Sequence, residues 1–423
     1  MKHVRRFRFF SVCGICGLLV IGLFVSTLGA GCTILATEEG LAAPAEELDQ
    51  RLIEANNELG FNIFHELRGD EKDENLFISP PGILTALAMT YNGAEEETRE
   101  AMGKTLLLDD MSREKLNGAF ADLLTILQNP DPKVEMAVAN SLWAREGIEF
   151  KKDFLQRNEQ YFKAEVNALD FDDPDSVDVI NNWVKEQTGE AIEEIIEPPI
   201  DPLTVLFLIN AIYFNGEWTE PFDPELTQEI PFHLPDGSEE NHPVMFREDD
   251  FSYYVNDLFQ AVSLPYGEEE RISMYVFLPD KKVGLEGFYA ELDAGNWTEW
   301  TNSFSTMEGE VGLPRFEFEY EASLNDTLKT LGMEVAFDDQ AADFSGMRPI
   351  PPRLFISDVK HKSFIEVNEE GTKAAAATSV EVTLESAMPE QFTMIADRPF
   401  FFAIADEMTG SILFMGSLLE PRP

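Results

Sequence analysis

The chain has 423 residues, 44% of them hydrophobic and 11% aromatic, with 33 Phe, which is enough for a large core and excludes a disordered chain. Its 79 acidic and 31 basic residues give a net charge of −48, a surface that repels phosphate backbones and excludes nucleic acid as a partner. All three cysteines (Cys13, Cys16, Cys32) lie before residue 33, and the five histidines (His3, His65, His233, His242, His361) are scattered, so the body carries no disulfide, no thiol chemistry and no metal-ligand spacing. No cofactor is implied.

In chain order, residues 1–8 are basic and Phe9–Leu28 is apolar apart from small polar residues, ending in Leu28-Gly-Ala-Gly-Cys32. This reads as an export signal over 1–32. A single cysteine after small residues resembles a lipoprotein cleavage box, with Cys32 as the lipid attachment point; if uncleaved, about 20 apolar residues suffice to span a bilayer. Either way the body is expected outside the cytoplasm, tethered or released. Residues 33–54 read as a polar spacer, and 55–423 as one large domain without a linker or repeat.

The apolar spacing predicts a helix over Leu52–Leu67. Asn75-Leu-Phe-Ile-Ser-Pro80 reads as a short strand broken by Ser79-Pro80, followed by a buried helix that ends at Asn92-Gly93. Helices are predicted over Thr98–Leu108, Ser112–Leu127 with Ser112 as cap, and Val177–Ile196, with a strand at Val134–Ala144. Thr204–Trp218 is apolar on both faces, a central strand of a covered sheet, and its lone Asn210 must find hydrogen-bond partners or cost about 1–3 kcal/mol. Strands follow at Ile230–Pro235, Phe251–Val255, Phe259–Pro265, Ile272–Leu278 and Gly312–Phe318, then a helix at Leu324–Leu331 ending at Gly332. Phe355–Val367 contains His361, and Phe392–Ala396, Phe400–Ala405 and Ile412–Leu418 are apolar strands that close the chain. Helices come first and strands mostly later, which makes the class α+β.

Between the last groups of strands lies Glu369-Glu-Gly-Thr-Lys-Ala-Ala-Ala-Ala-Thr-Ser-Val-Glu-Val-Thr-Leu-Glu-Ser386. With a period of two, Thr372, Ala374, Ala376, Thr378, Val380, Val382 and Leu384 share one face, and Lys373, Ala375, Ala377, Ser379, Glu381, Thr383 and Glu385 the other. The segment reads both as a half-buried strand and as an exposed loop, opening on Glu-Glu-Gly and leaving through Ser-Ala-Met-Pro. A helix turn or a tolerant linker around the four alanines is the alternative. No acyl-transfer, phosphate-binding or metalloprotease motif is present, so no residue is a candidate catalyst and the chain does not read as an enzyme.

The segments Asn75–Pro80, Leu208–Trp218, Leu313-Pro-Arg-Phe316, Leu331-Gly-Met333, Asp343-Phe-Ser-Gly346, Glu369–Thr372, Asp397-Arg-Pro-Phe400 and Leu413–Pro421 occur in an order and spacing that resemble the serpins across nearly all of 55–421. The resemblance implies the serpin fold: three β-sheets, eight or nine helices and an exposed reactive loop. It implies a monomeric suicide inhibitor of serine, or cysteine, endopeptidases that forms a covalent complex with its target. The cleaved loop would enter the main sheet as a new strand. By the same resemblance Glu369, Gly371, Thr372, Ala374, Ala375, Ala376, Ala377 and Thr378 form the hinge. Ser79, Asn210 and His361 form the polar shutter beneath the parting strands, where Gly82 replaces a second serine common in relatives. Trp218 sits at the breach where the loop first enters. Relatives place the residue before the scissile bond sixteen positions after the hinge glutamate, which gives Glu385-Ser386; Leu384 is the alternative residue before the bond. Glu385 would suit a glutamyl endopeptidase and Leu384 a chymotrypsin- or subtilisin-like one. A non-inhibitory serpin acting as a binding or structural protein is the competing reading.

Overall fold

The structure, a computed structural model, describes residues 48–70, 74–127, 131–372 and 391–422. The export segment with Cys32, and the loop positions Ala374, Ala375, Ala376, Ala377, Thr378, Leu384, Glu385 and Ser386, lie outside the described residues.

The first half of the chain builds the helices. α1 (Gln50–Asp70) starts inside the stretch expected as spacer, because Leu52, Ile53, Leu59, Ile63 and Phe64 make a continuous apolar face that is buried. After β1 (Leu76–Ile78), Ser79 turns the chain: its Oγ accepts the Gly82 N–H at 3.4 Å and caps α2 (Pro80–Tyr91). Two prolines open α2 where no N–H partner is needed. All its residues are buried, so α2 is a central pole touching β-structure on more than one side. α3 (Glu96–Thr105) and α4 (Arg113–Leu127) follow, with the Ser112 Oγ accepting the Lys115 N–H at 3.4 Å as the cap reading expected.

β2 (Val134–Arg145) then leads into α5 (Lys152–Phe162), β3 (Glu165–Leu169) and α6 (Asp175–Gln187). The helix expected over Val177–Ile196 stops early, because Gly189 and Glu190 both adopt left-handed backbone (φ of 60° and 70°). Its remaining isoleucines, Ile192, Ile195 and Ile196, form an irregular linker packed on the sheet instead. β4 (Leu206–Glu217), β5 (Gln228–His233), β6 (Glu239–Val255), β7 (Phe259–Tyr266) and β8 (Ile272–Pro279) follow. The short helices α7 (Gly284–Tyr289) and α8 (Ala294–Thr301) come next. The strand expected at Gly312–Phe318 is two strands, β9 (Ser305–Pro314) and β10 (Phe316–Ser323), broken at Arg315, whose N–H bonds the Pro243 carbonyl. α9 (Asn325–Leu328), β11 (Asp358–Val367), β12 (Gly371–Thr372), β13 (Phe392–Ile395), β14 (Phe400–Asp406) and β15 (Ser411–Leu418) complete the described chain.

These elements give the expected α+β class. The described strands make two hydrogen-bonded networks. One is six-stranded in the order β10-β11-β4-β2-β3, with β12 added beside β4. The other is nine-stranded, β1-β15-β14-β8-β7-β6-β9-β13 with β5 on β6. Two of the three expected sheets are continuous because the long β6 pairs with β5 through its first part and with β9 and β7 through the rest. Among the described residues no helix is long and apolar enough to cross a membrane, and no His/Cys/Asp/Glu group is arranged to hold a metal.

One ion pair in the second network has a fully buried carboxylate and a mostly buried guanidinium. Arg271 grips the fully buried Asp406 with Nε at 2.9 Å and Nη2 at 2.6 Å, joining β8 to the end of β14. Asp406→Ala leaves the guanidinium without its partner and should cost about 3–5 kcal/mol. A guanidinium unfolding midpoint equal to that of the parent chain would refute this assignment.

Candidate functional site: a parallel seam at the centre of the main sheet

In the six-stranded sheet β4 is antiparallel to β2, but parallel to β11 over Asp358↔Phe207 to Phe364↔Tyr213. Above Phe364 the two strands are no longer paired, and β12 fills the top of the gap. It runs antiparallel to β4, with Gly371 opposite Glu217 and Thr372 opposite Gly216. The chain reverses direction between β11 and β12 through a tight turn in which Asn368 and Gly371 exchange backbone hydrogen bonds of 2.9 and 3.3 Å. Gly371 has φ 144°, and a Cβ there would come within 2.2 Å of the Gly216 carbonyl, so no other residue fits.

The turn is nailed down at the same end. Glu369 is buried, and its carboxylate accepts from Arg315 Nε at 2.8 Å, from Arg315 Nη2 and from the Thr227 hydroxyl. Burial alone would raise this carboxyl; the Arg315 and Thr227 hydrogen bonds outweigh it and hold the group below the usual carboxylate range. Trp218 donates its Nε1–H to the Asn368 carbonyl at 2.9 Å and its backbone N–H to the Glu370 carbonyl at 3.0 Å. Its ring stacks on Tyr266 at 4.2 Å and 13°, while the Tyr266 hydroxyl lies 3.2 Å from the Oγ1 of Thr372, itself fully buried. The hinge residues that are described, Glu369, Gly371 and Thr372, are therefore brought together with Trp218. Sequence reasoning missed Arg315, Thr227 and Tyr266. Arg315 lay inside the quoted Leu313–Phe316 motif, but nothing in the sequence paired it with Glu369.

Midway down the seam, Ser79, Asn210 and His361 form one hydrogen-bonded chain. The Ser79 N–H can only donate, so His361 Nε2, 3.3 Å away, accepts and Nδ1 carries the proton. Nδ1 then donates to Asn210 Oδ1 at 2.7 Å, across the β4–β11 seam. Asn210 in turn donates from Nδ2 to the Oδ1 of Asn140 at 2.9 Å, its register partner on β2. Ser79 Oγ donates to the Leu413 carbonyl at 2.8 Å, and Ser363 Oγ to the Phe77 carbonyl at 2.6 Å. Asn140 was missed; its signal was a lone asparagine inside an apolar strand, the same signal that marked Asn210. Gly82 lies against this network. A Cβ there would stand 2.6 Å from the Asn210 amide, so glycine is what admits that amide against α2.

A family model described as Serpin (serine protease inhibitor) matches residues 54–421. The chain belongs to the serpin family. This serpin is 37% identical over 383 residues to an uncharacterized serpin-like protein of Thermococcus kodakarensis, covering 89% of this chain and 87% of that one. It is 35% identical over 383 residues to the human leukocyte elastase inhibitor, covering 88% of this chain and 100% of the relative. The native-state crystal structure of the thermophilic serpin tengpin superposes with a TM-score of 0.82 at 34% identity, over 88% of this chain and 95% of tengpin. Serpins are in general protease inhibitors rather than enzymes.

Burial holds the His361 imidazole at about 3, far below its ordinary 6.5. Above that ordinary value the ring is neutral in the folded and unfolded chain alike. As pH falls below it, the unfolded chain binds a proton that the native cluster refuses, so this contribution to stability is lost by about 1.4 kcal/mol per pH unit. His361→Gln should remove that slope between pH 6.5 and 5. Coincident stability–pH curves for the two proteins would show that His361 is not the group responsible.

Proposed function

We propose that the chain is an extracytoplasmic suicide inhibitor of serine endopeptidases that traps its target by inserting the cleaved loop between β4 and β11. The observation that carries this reading is β12. The first residues of the loop already lie antiparallel on β4, with Thr372 buried, at the open end of a seam whose other rungs are parallel.

Carried down β4, that register sets Ala374 beside Phe214, Ala376 beside Ile212, Thr378 beside Asn210, Val380 beside Leu208 and Val382 beside Leu206. The four apolar β4 positions are buried in the main core, and Asn210 offers Thr378 a polar neighbour. The alternation read from the sequence thus matches what β4 presents. Small leading residues, Ala374 to Ala377, let the strand advance without forcing side chains past the polar cluster. Insertion exchanges one parallel ladder for two antiparallel ones. About a dozen added backbone bonds at roughly 0.5–1.5 kcal/mol each supply the drive.

In the chemical sequence, the serine Oγ of the protease attacks the carbonyl carbon of Glu385. The Glu385–Ser386 bond breaks, the Ser386 amine leaves with a proton, and an ester joins protease to inhibitor. Insertion then carries the esterified end past the foot of β4 and drags the protease from the geometry that water needs to hydrolyse the ester. Cleavage one residue earlier, after Leu384, serves the same movement with a protease of apolar specificity. Residues 1–32 act as export signal, with Cys32 as tether or the body released; the part of 33–54 that precedes α1 supplies a short lead to the folded part, and the inhibitor works as a monomer. Ser79, Asn210 and His361 act as shutter and Trp218 as the breach that receives the first inserted residues.

The test is incubation with endopeptidases of several specificities. A glutamyl endopeptidase should give a complex stable to boiling in detergent, with the free C-terminal fragment beginning at Ser386 by mass. Cleavage without a covalent complex would favour the non-inhibitory reading. Thr372→Arg should convert inhibitor to substrate, because a guanidinium would have to occupy a fully buried site facing Tyr266. A variant that still traps protease at unchanged stoichiometry would overturn the insertion face assigned here.

A further inference from the structure

His361 and Lys362 are neighbours on β11 and point to opposite faces of the sheet. The register pairs them with Asn210 and Ala211 of β4. On the core face the seam is bridged by the His361–Asn210 bond. On the other face it is crossed by the α6–β4 linker, whose Ile192, Ile195, Ile196 and Ile200 pack with Phe207, Ile209 and Ala211 of β4 and with Ala139 and Trp143 of β2. Asn181 of α6 holds this linker as a unit: its Nδ2 donates to the Ile196 carbonyl at 2.9 Å, and its Oδ1 accepts the Ile195 and Ile196 N–H groups at 3.0 Å. The linker is therefore bound chiefly to the β2–β4 half of the sheet.

Beside the apolar contact that Phe364 of β11 makes with this cluster, its polar tie to the other half is Lys362. The side chain is only 10% exposed, its Nζ donates to the Glu194 carbonyl at 2.9 Å, and Glu319 and Glu321 on β10 hold the same ammonium at 3.1 and 3.6 Å. The carboxylates travel with β10 and β11, and the carbonyl travels with α6, β2 and β4. Parting the seam by one strand, about 4.8 Å, cannot preserve both sets of contacts. We propose that Lys362 is the outer latch of the seam, a positioning residue that resists strand entry until the linker lifts, opposite the inner latch made by His361 and Asn210. Lys360, two residues earlier on the same face, has ion pairs with Glu321 and Asp358 at 3.6 and 3.9 Å, all within the β10–β11 half. It serves as the control.

This inference rests on the insertion reading, so its test needs no protease. A synthetic peptide with the sequence of residues 373–385 is mixed with the full chain, and its uptake is followed by native mass and gel mobility. Lys362→Met keeps the length and apolar stem but removes the ammonium. Uptake should be about tenfold faster than in the parent, the factor that ~1.4 kcal/mol of lost hydrogen bonding gives, while Lys360→Met stays at the parental rate. Equal rates for Lys362→Met and the parent would overturn the latch and leave the insertion reading standing. No uptake by the parent chain would sink both. In the parent, hydrogen exchange of the amides over 190–200 should accelerate at least tenfold once peptide is bound, which tests the lifting without any substitution. Unchanged protection there would overturn the latch as well.

Discussion

The structure turns on one mismatch of strand direction. β11 lies parallel to β4 along most of its length, yet the residue pair that follows it, Gly371-Thr372, lies antiparallel to the same strand. A strand running opposite to both neighbours can make two regular antiparallel ladders, whereas the neighbours alone make one slanted parallel ladder. The sheet therefore holds, at its centre, a pairing that a better one can replace. The core beneath is no obstacle, since the β4 side chains that would receive the new strand are already buried against α2 and the second network.

Polar bonds bridge the seam on both faces, beside the Tyr213–Phe364 ring contact. The ladder rungs are supplemented by His361–Asn210 on the inside and by the Lys362–Glu194 bond on the outside, with Asn140 and Ser79 extending the inner chain to β2 and to the start of α2. Each bond is worth about 1 kcal/mol net, and each leaves a buried polar group unsatisfied when broken alone. Such a set gives a barrier without giving the closed state much depth. At the open end Glu369 with Arg315, and Trp218 with Tyr266, fix the turn as far as Thr372. Under the proposed insertion, the turn at Glu369–Thr372 is the anchored end and the seam below it is held by single bonds.

The strong acidity of the chain enters these sites only locally. Lys362 and Arg315 are cations set among carboxylates, so their charge is met on the protein itself and not by solvent ions. Two of the buried carboxylates, Glu369 and Asp406, each have an arginine. Charge at the exposed surface is screened by salt.

Much of this was legible in the chain. The serine–proline break that opens α2, the apolar run of β4 and the lone Asn210 are local patterns, and local sterics and burial act on them directly. Partners were not legible. Asn140 and Arg315 are joined to Asn210 and Glu369 by strand pairing and loop placement that bring together residues far apart in the chain. The isoleucines after Gln187 kept a helical spacing but were taken by the sheet once left-handed residues had stopped the helix. Sequence alone determined which face of the long apolar segments is buried and where Ser79-Pro80 turns the chain. Tertiary structure alone decided which polar groups meet across the β4–β11 seam, because a hydrogen bond depends on register and distance, and neither is written in any single segment.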